Sequence, residues 1–190
     1  MKVGLFFGSF NPIHNGHLII ANHLYKIIEL DEVWFIPSPQ NPFKAVTDLL
    51  PYEHRVEMIR AAISTVNHIK VSTIENELPL PSYTIHTMDK LVELYPQHTF
   101  CILMGSDNFS GLIHWKEYER LLQNFSIHVY YRSTTDIAAL PVLKNAFVHQ
   151  LPLLDISATA VRARIRNGDS IIGEVETSVM QLIHKNRWYK

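Results

Sequence analysis

The sequence has 190 residues, of which 47% are hydrophobic and 18% charged, as expected for one globular α/β domain with a hydrophobic core. Its net charge of -1 excludes a sequence-wide basic surface for unspecific nucleic-acid binding, and its single cysteine, Cys101, excludes an intrachain disulfide. No apolar stretch approaches the roughly 20 residues of a membrane-spanning helix, and the N-terminus lacks a signal-peptide pattern, so we expect a cytoplasmic protein that binds neither membranes nor nucleic acid.

The chain opens with a predicted strand, turn and helix. An apolar run over 2–7 is followed by a turn rich in Gly, Ser, Asn and Pro over 8–17, and an apolar helix begins near Asn15. Such a turn gathers free backbone N–H groups and the positive end of a helix dipole, where a phosphate can bind. His14 and His17 lie in this turn and can donate hydrogen bonds to phosphate oxygens.

Short apolar strands alternate with helices through the rest of the chain. Arg55 and Arg60, in a helix over 51–65, are expected to be surface charges, and Trp115 and Tyr118 stand at helical spacing. The alternation predicts a single doubly wound, Rossmann-like α/β domain over 1–190, with a mainly parallel sheet and helices on both faces. Strands are predicted over 32–37, 69–74, 99–104, 125–131 and 146–151, and further helices open at Ser82, open after Ser157, and cover 172–186.

Three segments follow the first turn as features of interest. One is the loop over 38–50, since loops at the carboxyl ends of parallel strands line the crevice of an open sheet. The loop over 38–50 contains Lys44, which otherwise is an ordinary solvated lysine. A glycine-and-acid turn over 105–108 follows the fourth strand. Thr159, Arg162 and Arg166 share a face of the helix after Ser157, where a hydroxyl and arginines suit a polyphosphate; the alternative is a solvated basic face.

Several familiar sites are absent from the sequence. It contains no Gly-x-Gly-x-x-Gly turn, no phosphate loop ending in Gly-Lys-Ser/Thr, no His-Glu-x-x-His helix and no Gly-x-Ser-x-Gly elbow. A phosphate site without an obvious nucleophile remains. This favours phosphoryl or nucleotidyl transfer, which depends mainly on positioning and on charge stabilisation at phosphorus.

Two segments resemble the signatures of the HxGH nucleotidylyltransferases. The first is Gly-Ser-Phe-Asn-Pro-Ile-His-Asn-Gly-His over 8–17, and the second is Ile-Ser-Ala-Thr-Ala-Val-Arg over 156–162. The segments 81–87, 105–108, 115–118 and 186–189 resemble the bacterial nicotinate-nucleotide adenylyltransferases within that superfamily. The alternatives are a phosphopantetheine adenylyltransferase, which lacks the Ser-Tyr-Thr and Trp-x-x-Tyr stretches, and a non-catalytic nucleotide-binding domain of the same fold.

The resemblance implies a reaction and its residues. The family transfers AMP from ATP to nicotinate mononucleotide, with Mg²⁺ and without a covalent enzyme intermediate, and yields nicotinate adenine dinucleotide and pyrophosphate for NAD biosynthesis. Catalytic roles fall to His14, His17 and Arg162, and no metal ligand is assigned in the chain. The implied ATP contacts are Gly8, Ser9, Phe10, His14, His17, Gly105, Asp107, Ser157, Thr159 and Arg162, with the part over 156–190 completing the ATP site. The implied acceptor contacts are Lys44, Tyr83, Thr84, Trp115, Tyr118 and Arg132.

Two positions depart from the family pattern. Asn11 stands where the family often has an acid, and Phe43 precedes Lys44 where the family often has a histidine. Preference for the acid over the amide mononucleotide, and assembly into a homo-oligomer, are left open by the sequence.

Overall fold

The strands form one fully parallel sheet. The computed structural model describes residues 1–40, 49–131, 142–151 and 156–190. Within these residues the strands run in the order β3-β2-β1-β4-β5-β6 and confirm the doubly wound α/β prediction. Their bounds are Lys2–Gly8 (β1), Glu32–Pro37 (β2), Ile69–Val71 (β3), Thr99–Gly105 (β4), Ser126–Tyr131 (β5) and Ala146–Gln150 (β6).

The helices cover both faces of this sheet. Two short 3-10 helices, Ile74–Glu77 and Leu112–His114, lie in the connections between the regular elements. None of the helices described is long and apolar enough to cross a lipid bilayer. The α-helices are Asn15–Ile27 (α1), Tyr52–Ala62 (α2), Thr84–Leu94 (α3), Ser106–Ser110 (α4), Tyr118–Asn124 (α5), Ala158–Asn167 (α6) and Thr177–Asn186 (α7).

Side-chain alternation along each strand divides the core into two layers. On β4, Cys101 and Leu103 face a layer built with α1, α2, α6 and α7, whereas Ile102 and Met104 face a layer built with α3 and α5. Both faces of β4 are therefore buried, which explains why this strand is apolar throughout. The Cys101 thiol lies in this core, and burial raises its pKa to about 12, as expected of an inert thiol.

Some boundaries differ from the sequence predictions. β3 ends at Val71, and the chain then forms a 3-10 helix in which Ile74 and Glu75 are buried. The last helix begins at Thr177 rather than near 172. Tyr83, not Ser82, is the N-cap of α3. These positions were predicted from local propensity, whereas tertiary packing decides where each element ends.

Candidate active site

The candidate site lies at the topological switch point of the sheet. β1 has β2 on one side and β4 on the other, so the connections after β1 and β4 leave in opposite directions and open a crevice at their carboxyl ends. Gly8 ends β1 and Gly105 ends β4. Both glycine turns selected from the sequence therefore flank the same crevice.

The first signature forms a rigid turn at this crevice. Phe10 adopts a left-handed backbone with φ of 46°, and its buried ring packs against Gly8 and lies 5.0 Å from the ring of His17. His14 is the N-cap of α1, and its imidazole stacks on that of His17 at a centroid distance of 3.7 Å. The two histidines are thus fixed against each other at the positive end of α1.

A backbone hydrogen bond fixes the tautomer of His17. The N–H of His14 donates to His17 Nδ1 at 3.2 Å. Because Nδ1 accepts this bond, the neutral imidazole carries its proton on Nε2. The ring can therefore donate to a phosphate oxygen through Nε2 without breaking the turn.

Gly16 makes the close stacking of the histidines possible. A Cβ at this position would lie 2.9 Å from His14 Nδ1 and 3.0 Å from its Cε1. It would also contact Ile156, the first residue of the second signature, at 3.7 Å. The glycine between the two histidines is thus required by side-chain packing at the site.

The second signature lies directly on the first. Arg162, on α6, donates from Nη1 to the carbonyl oxygen of Asn11 at 2.9 Å, and its Nη2 lies 3.5 Å from Thr159 Oγ1. Its Nε is buried and has no hydrogen-bond partner among the residues described. Ser157 caps α6 as predicted, since its Oγ accepts from the N–H of Ala160 at 3.2 Å.

The contacts of Asn11 account for the residue that departs from the family pattern. Its side chain is buried, and Oδ1 accepts hydrogen bonds from the Tyr189 hydroxyl at 2.8 Å and from the N–H of Leu50 at 3.2 Å. A neutral amide therefore joins the first signature to the C-terminal segment and to the chain entering α2. Burial raises the pKa of Tyr189, so its hydroxyl stays a donor at neutral pH.

The end of β4 is shaped by a second close approach. A Cβ on Gly105 would collide with the carboxylate of Asp107 and lie 3.3 Å from the Tyr130 ring. Ser106 is buried at the start of α4, whereas Asp107 is exposed. Gly105 and Asp107, both predicted ATP contacts, are therefore in close contact at the end of β4.

A cleft that is partly open to solvent lies beside this corner. Gly8 lines it together with Tyr83, Thr84 and Trp115, three of the residues predicted to contact the acceptor. Thr84 begins α3, whose N-terminus has no side-chain cap. An uncapped helix end presents unsatisfied N–H groups and partial positive charge, which suit an anionic group.

Tyr118 does not line this cleft. Its hydroxyl donates to Glu119 at 3.4 Å, and its ring packs on the core beneath the cleft. Trp115 and Tyr118 are also not on one helix, because Glu117 between them has a left-handed backbone with φ of 53°. The helical spacing predicted for this pair is therefore wrong. Lys116 and Asn108, which the sequence did not single out, line the cleft instead.

Arg55 is the main residue that sequence reasoning misplaced. Its side chain is 1% exposed rather than at the surface. Its guanidinium donates to the carbonyl oxygens of Ser9 at 2.6 Å, Ser38 at 2.8 Å, Leu50 at 3.0 Å and Pro39 at 3.3 Å. One buried cation thereby joins the turn after β1 to the loop after β2.

Glu75 is a buried carboxyl in the wall of the cleft. Thr87 donates to its Oε1 at 2.9 Å. Burial raises the pKa of Glu75, and the nearby hydroxyls of Thr87, Ser38 and Ser82 oppose that rise. Its Oε2 and Ser82 Oγ make no hydrogen bond of ordinary geometry among the described residues.

Two predicted acceptor contacts, Lys44 and Arg132, lie outside the described residues. The predicted contacts that the structure does describe divide into two neighbouring groups. The residues of the two signatures and of the β4 turn surround the crevice, and Tyr83, Thr84 and Trp115 line the adjoining cleft. Their roles in binding and catalysis stay predictions.

A parallel sheet with a histidine-bearing turn at its switch point defines an α/β protein built to bind a nucleotide. A family model described as cytidylyltransferase-like matches residues 5–164. The chain belongs to the cytidylyltransferase-like family, as the resemblance of its two signatures indicated.

Two relatives of the chain carry the same name. The chain is 43% identical to a probable nicotinate-nucleotide adenylyltransferase of Cytophaga hutchinsonii, over 100% of this chain and 98% of that protein. A protein of the same name from Flavobacterium johnsoniae is 40% identical over the full length of both. The fold is also that of Plasmodium falciparum nicotinic acid mononucleotide adenylyltransferase complexed with NaAD, with a TM-score of 0.82, 20% identity and coverage of 99% and 97%.

Proposed function

We propose that this chain transfers AMP from ATP to nicotinate mononucleotide and releases nicotinate adenine dinucleotide and pyrophosphate. The observation that carries the proposal is the junction of the two signatures, where Arg162 donates to the Asn11 carbonyl at 2.9 Å beside the stacked His14 and His17. This junction adjoins a cleft that contains an aromatic side chain, Trp115. The family to which the chain belongs and the names of its relatives support the same activity.

ATP is assigned to the crevice at the switch point. His14, His17 and Arg162 would stabilise the charge on its phosphates, since donors fixed in advance cost no reorganisation during reaction. Gly8, Ser9, Phe10, Gly105 and Asp107 would line the nucleotide, and Ser157 and Thr159 would hold its phosphate tail. In this assignment the part of the chain over 156–190 completes the ATP site.

The acceptor is assigned to the neighbouring cleft. Trp115 would stack on the pyridine ring, and the uncapped N-terminus of α3 at Thr84 would face its carboxylate. The acceptor phosphate would then attack the ATP α-phosphorus directly, with pyrophosphate as the leaving group. This route needs no nucleophile from the protein, which agrees with the absence of a Gly-x-Ser-x-Gly elbow from the sequence.

Mg²⁺ suits this site as an ion carried by the phosphates. No three His, Cys, Asp or Glu side chains in the described part of the chain lie close enough together to hold a metal. Mg²⁺ commonly keeps several waters and binds through substrate phosphates rather than through a protein cage. The bound ion would neutralise phosphate charge, while the histidines and Arg162 position the phosphates.

The test is pyrophosphate release with ATP, Mg²⁺ and each of three acceptors. We expect turnover with nicotinate mononucleotide, less with nicotinamide mononucleotide and none with phosphopantetheine. Preference for phosphopantetheine would move the chain to the alternative adenylyltransferase. Absence of turnover with all three, in a folded sample that binds ATP, would indicate a non-catalytic nucleotide-binding domain.

A further inference from the structure

Lys116 brings a positive charge into the acceptor cleft. Its side chain lines the cleft beside Trp115, and its Nζ lies 4.8 Å from the centroid of the Tyr83 ring. Among the described side chains that line this cleft, Lys116 is the only one with a full positive charge. The cation–π contact holds a flexible lysine across the cleft, next to the start of α3.

No described carboxylate neutralises this ammonium by an ion pair. The adjacent acid, Glu117, makes its direct ion pair with Arg120, with 2.8 Å between Oε2 and Nη1, and attracts the Lys116 ammonium only at longer range. The left-handed backbone of Glu117 directs the chain into α5 and leaves Lys116 on the cleft side. The charge of Lys116 is therefore available to a ligand.

Further polar features at the same end of the cleft suit an anion. α3 begins at Thr84 without a side-chain cap. Ser82, two residues earlier, lines the cleft with a buried hydroxyl that interacts with the Glu75 carboxyl in the same wall. The lysine and the helix end bring positive charge to this end of the cleft, and the Glu75 carboxyl in the same wall opposes it only when ionised, a form that burial disfavours.

We infer that Lys116 is a specificity-determining residue, which favours an acceptor with a carboxylate on its pyridine ring over one with a carboxamide. The inference rests on the proposed function. A carboxylate gains a charge-assisted interaction with the ammonium, whereas a neutral carboxamide gains little from it. The advantage is modest because Lys116 is exposed to solvent and salt.

The test compares kcat/KM for nicotinate and nicotinamide mononucleotide at fixed ATP in wild type, Lys116→Met and Lys116→Arg. Methionine keeps an apolar stem over Tyr83 but removes the charge, and arginine keeps the charge. We expect Lys116→Met to lower kcat/KM for the acid roughly three- to fivefold and to leave the amide unchanged. Lys116→Arg should retain the preference for the acid.

A matched control removes a lysine far from the cleft. Lys26→Met makes the same change in net charge near the other end of α1, roughly 18 Å from the histidine turn along the helix. It should leave kcat/KM unchanged for both acceptors. Raising the salt concentration should weaken the acid preference of wild type and not that of Lys116→Met.

If Lys116→Met lowers kcat/KM equally for the acid and the amide, Lys116 has only a packing role and the inference is overturned. Unchanged kcat/KM for both acceptors would overturn it as well. If wild type uses neither acceptor, the proposed function itself fails. The wild-type measurement therefore separates the two failures.

Discussion

Arg55 provides a sharp test of how the two loops at the crevice are held. Arg55→Met keeps much of the side-chain volume but removes four hydrogen bonds, to the carbonyls of Ser9, Ser38, Pro39 and Leu50. At a net value of about 1 kcal/mol for each bond, the loss is about 4 kcal/mol.

The assay is urea unfolding followed by circular dichroism. With an m-value of about 2–3 kcal/mol/M, a loss of this size lowers the midpoint by roughly 1 to 2 M urea. The thermal midpoint should fall by roughly 10 °C, since each kcal/mol shifts a chain of this length by about 2–4 °C. The urea midpoint of Arg55→Lys should lie between those of wild type and Arg55→Met, because an ammonium can donate to three of the four carbonyls at most.

The control is Arg60→Met, on the same helix and exposed to solvent. It should leave the midpoint within about 0.2 M of wild type, because surface substitutions seldom exceed about 0.5 kcal/mol. A midpoint for Arg55→Met that matches Arg60→Met would refute the reasoning. Such a result would mean that the carbonyls find water when the guanidinium is removed.

Three further predictions concern the histidine turn and the cleft wall. His17→Ala should lower kcat by roughly 100-fold or more and change the ATP KM much less, because a fixed donor acts mainly in the transition state; equal effects on both would contradict this. Gly16→Ala should lower kcat with helix content unchanged, since its methyl would meet the neighbouring imidazole at 2.9 Å, whereas Gly111→Ala, with 3.7 Å to its nearest contact, should be neutral. Glu75→Gln should become more stable relative to wild type as pH rises. Burial raises the carboxyl pKa in the folded state, so wild type keeps its full stability below the unfolded pKa near 4.5 and loses stability as pH rises through the folded pKa, whereas glutamine does not ionise. Urea midpoints from pH 4.5 to 8 measure this, and the exposed Glu77→Gln should show no such trend.

Much of the scaffold could be predicted from local pattern. The apolar runs of β1 and β4 are buried on both faces, so each stands out as a continuous strand followed by a glycine turn. Because parallel strands end at one edge of a sheet, the strand pattern alone was enough to place the two turns together. The cap at Ser157 also followed from residue type alone.

The cleft wall could not be predicted in the same way. Arg55 belongs to an amphipathic helix whose pattern does not reveal that carbonyls from two distant loops converge on it. Glu75 has the appearance of a turn acid, and only the 3-10 helix shows that it is buried. The position of Lys116 at the cleft depends on the left-handed backbone of Glu117, a conformation that no glycine signals at that position of the sequence. Each of these depends on contacts between segments far apart in the chain.

The central claim is that the crevice takes ATP and the adjoining cleft takes the pyridine mononucleotide. The most direct measurement is the pair of KM values, for ATP and for nicotinate mononucleotide, in wild type and Trp115→Ala. Loss of one stacked ring costs about 1–3 kcal/mol, so the KM for the mononucleotide should rise roughly tenfold while the KM for ATP stays within about twofold. A rise confined to ATP, with the mononucleotide unaffected, would contradict the assignment of the cleft.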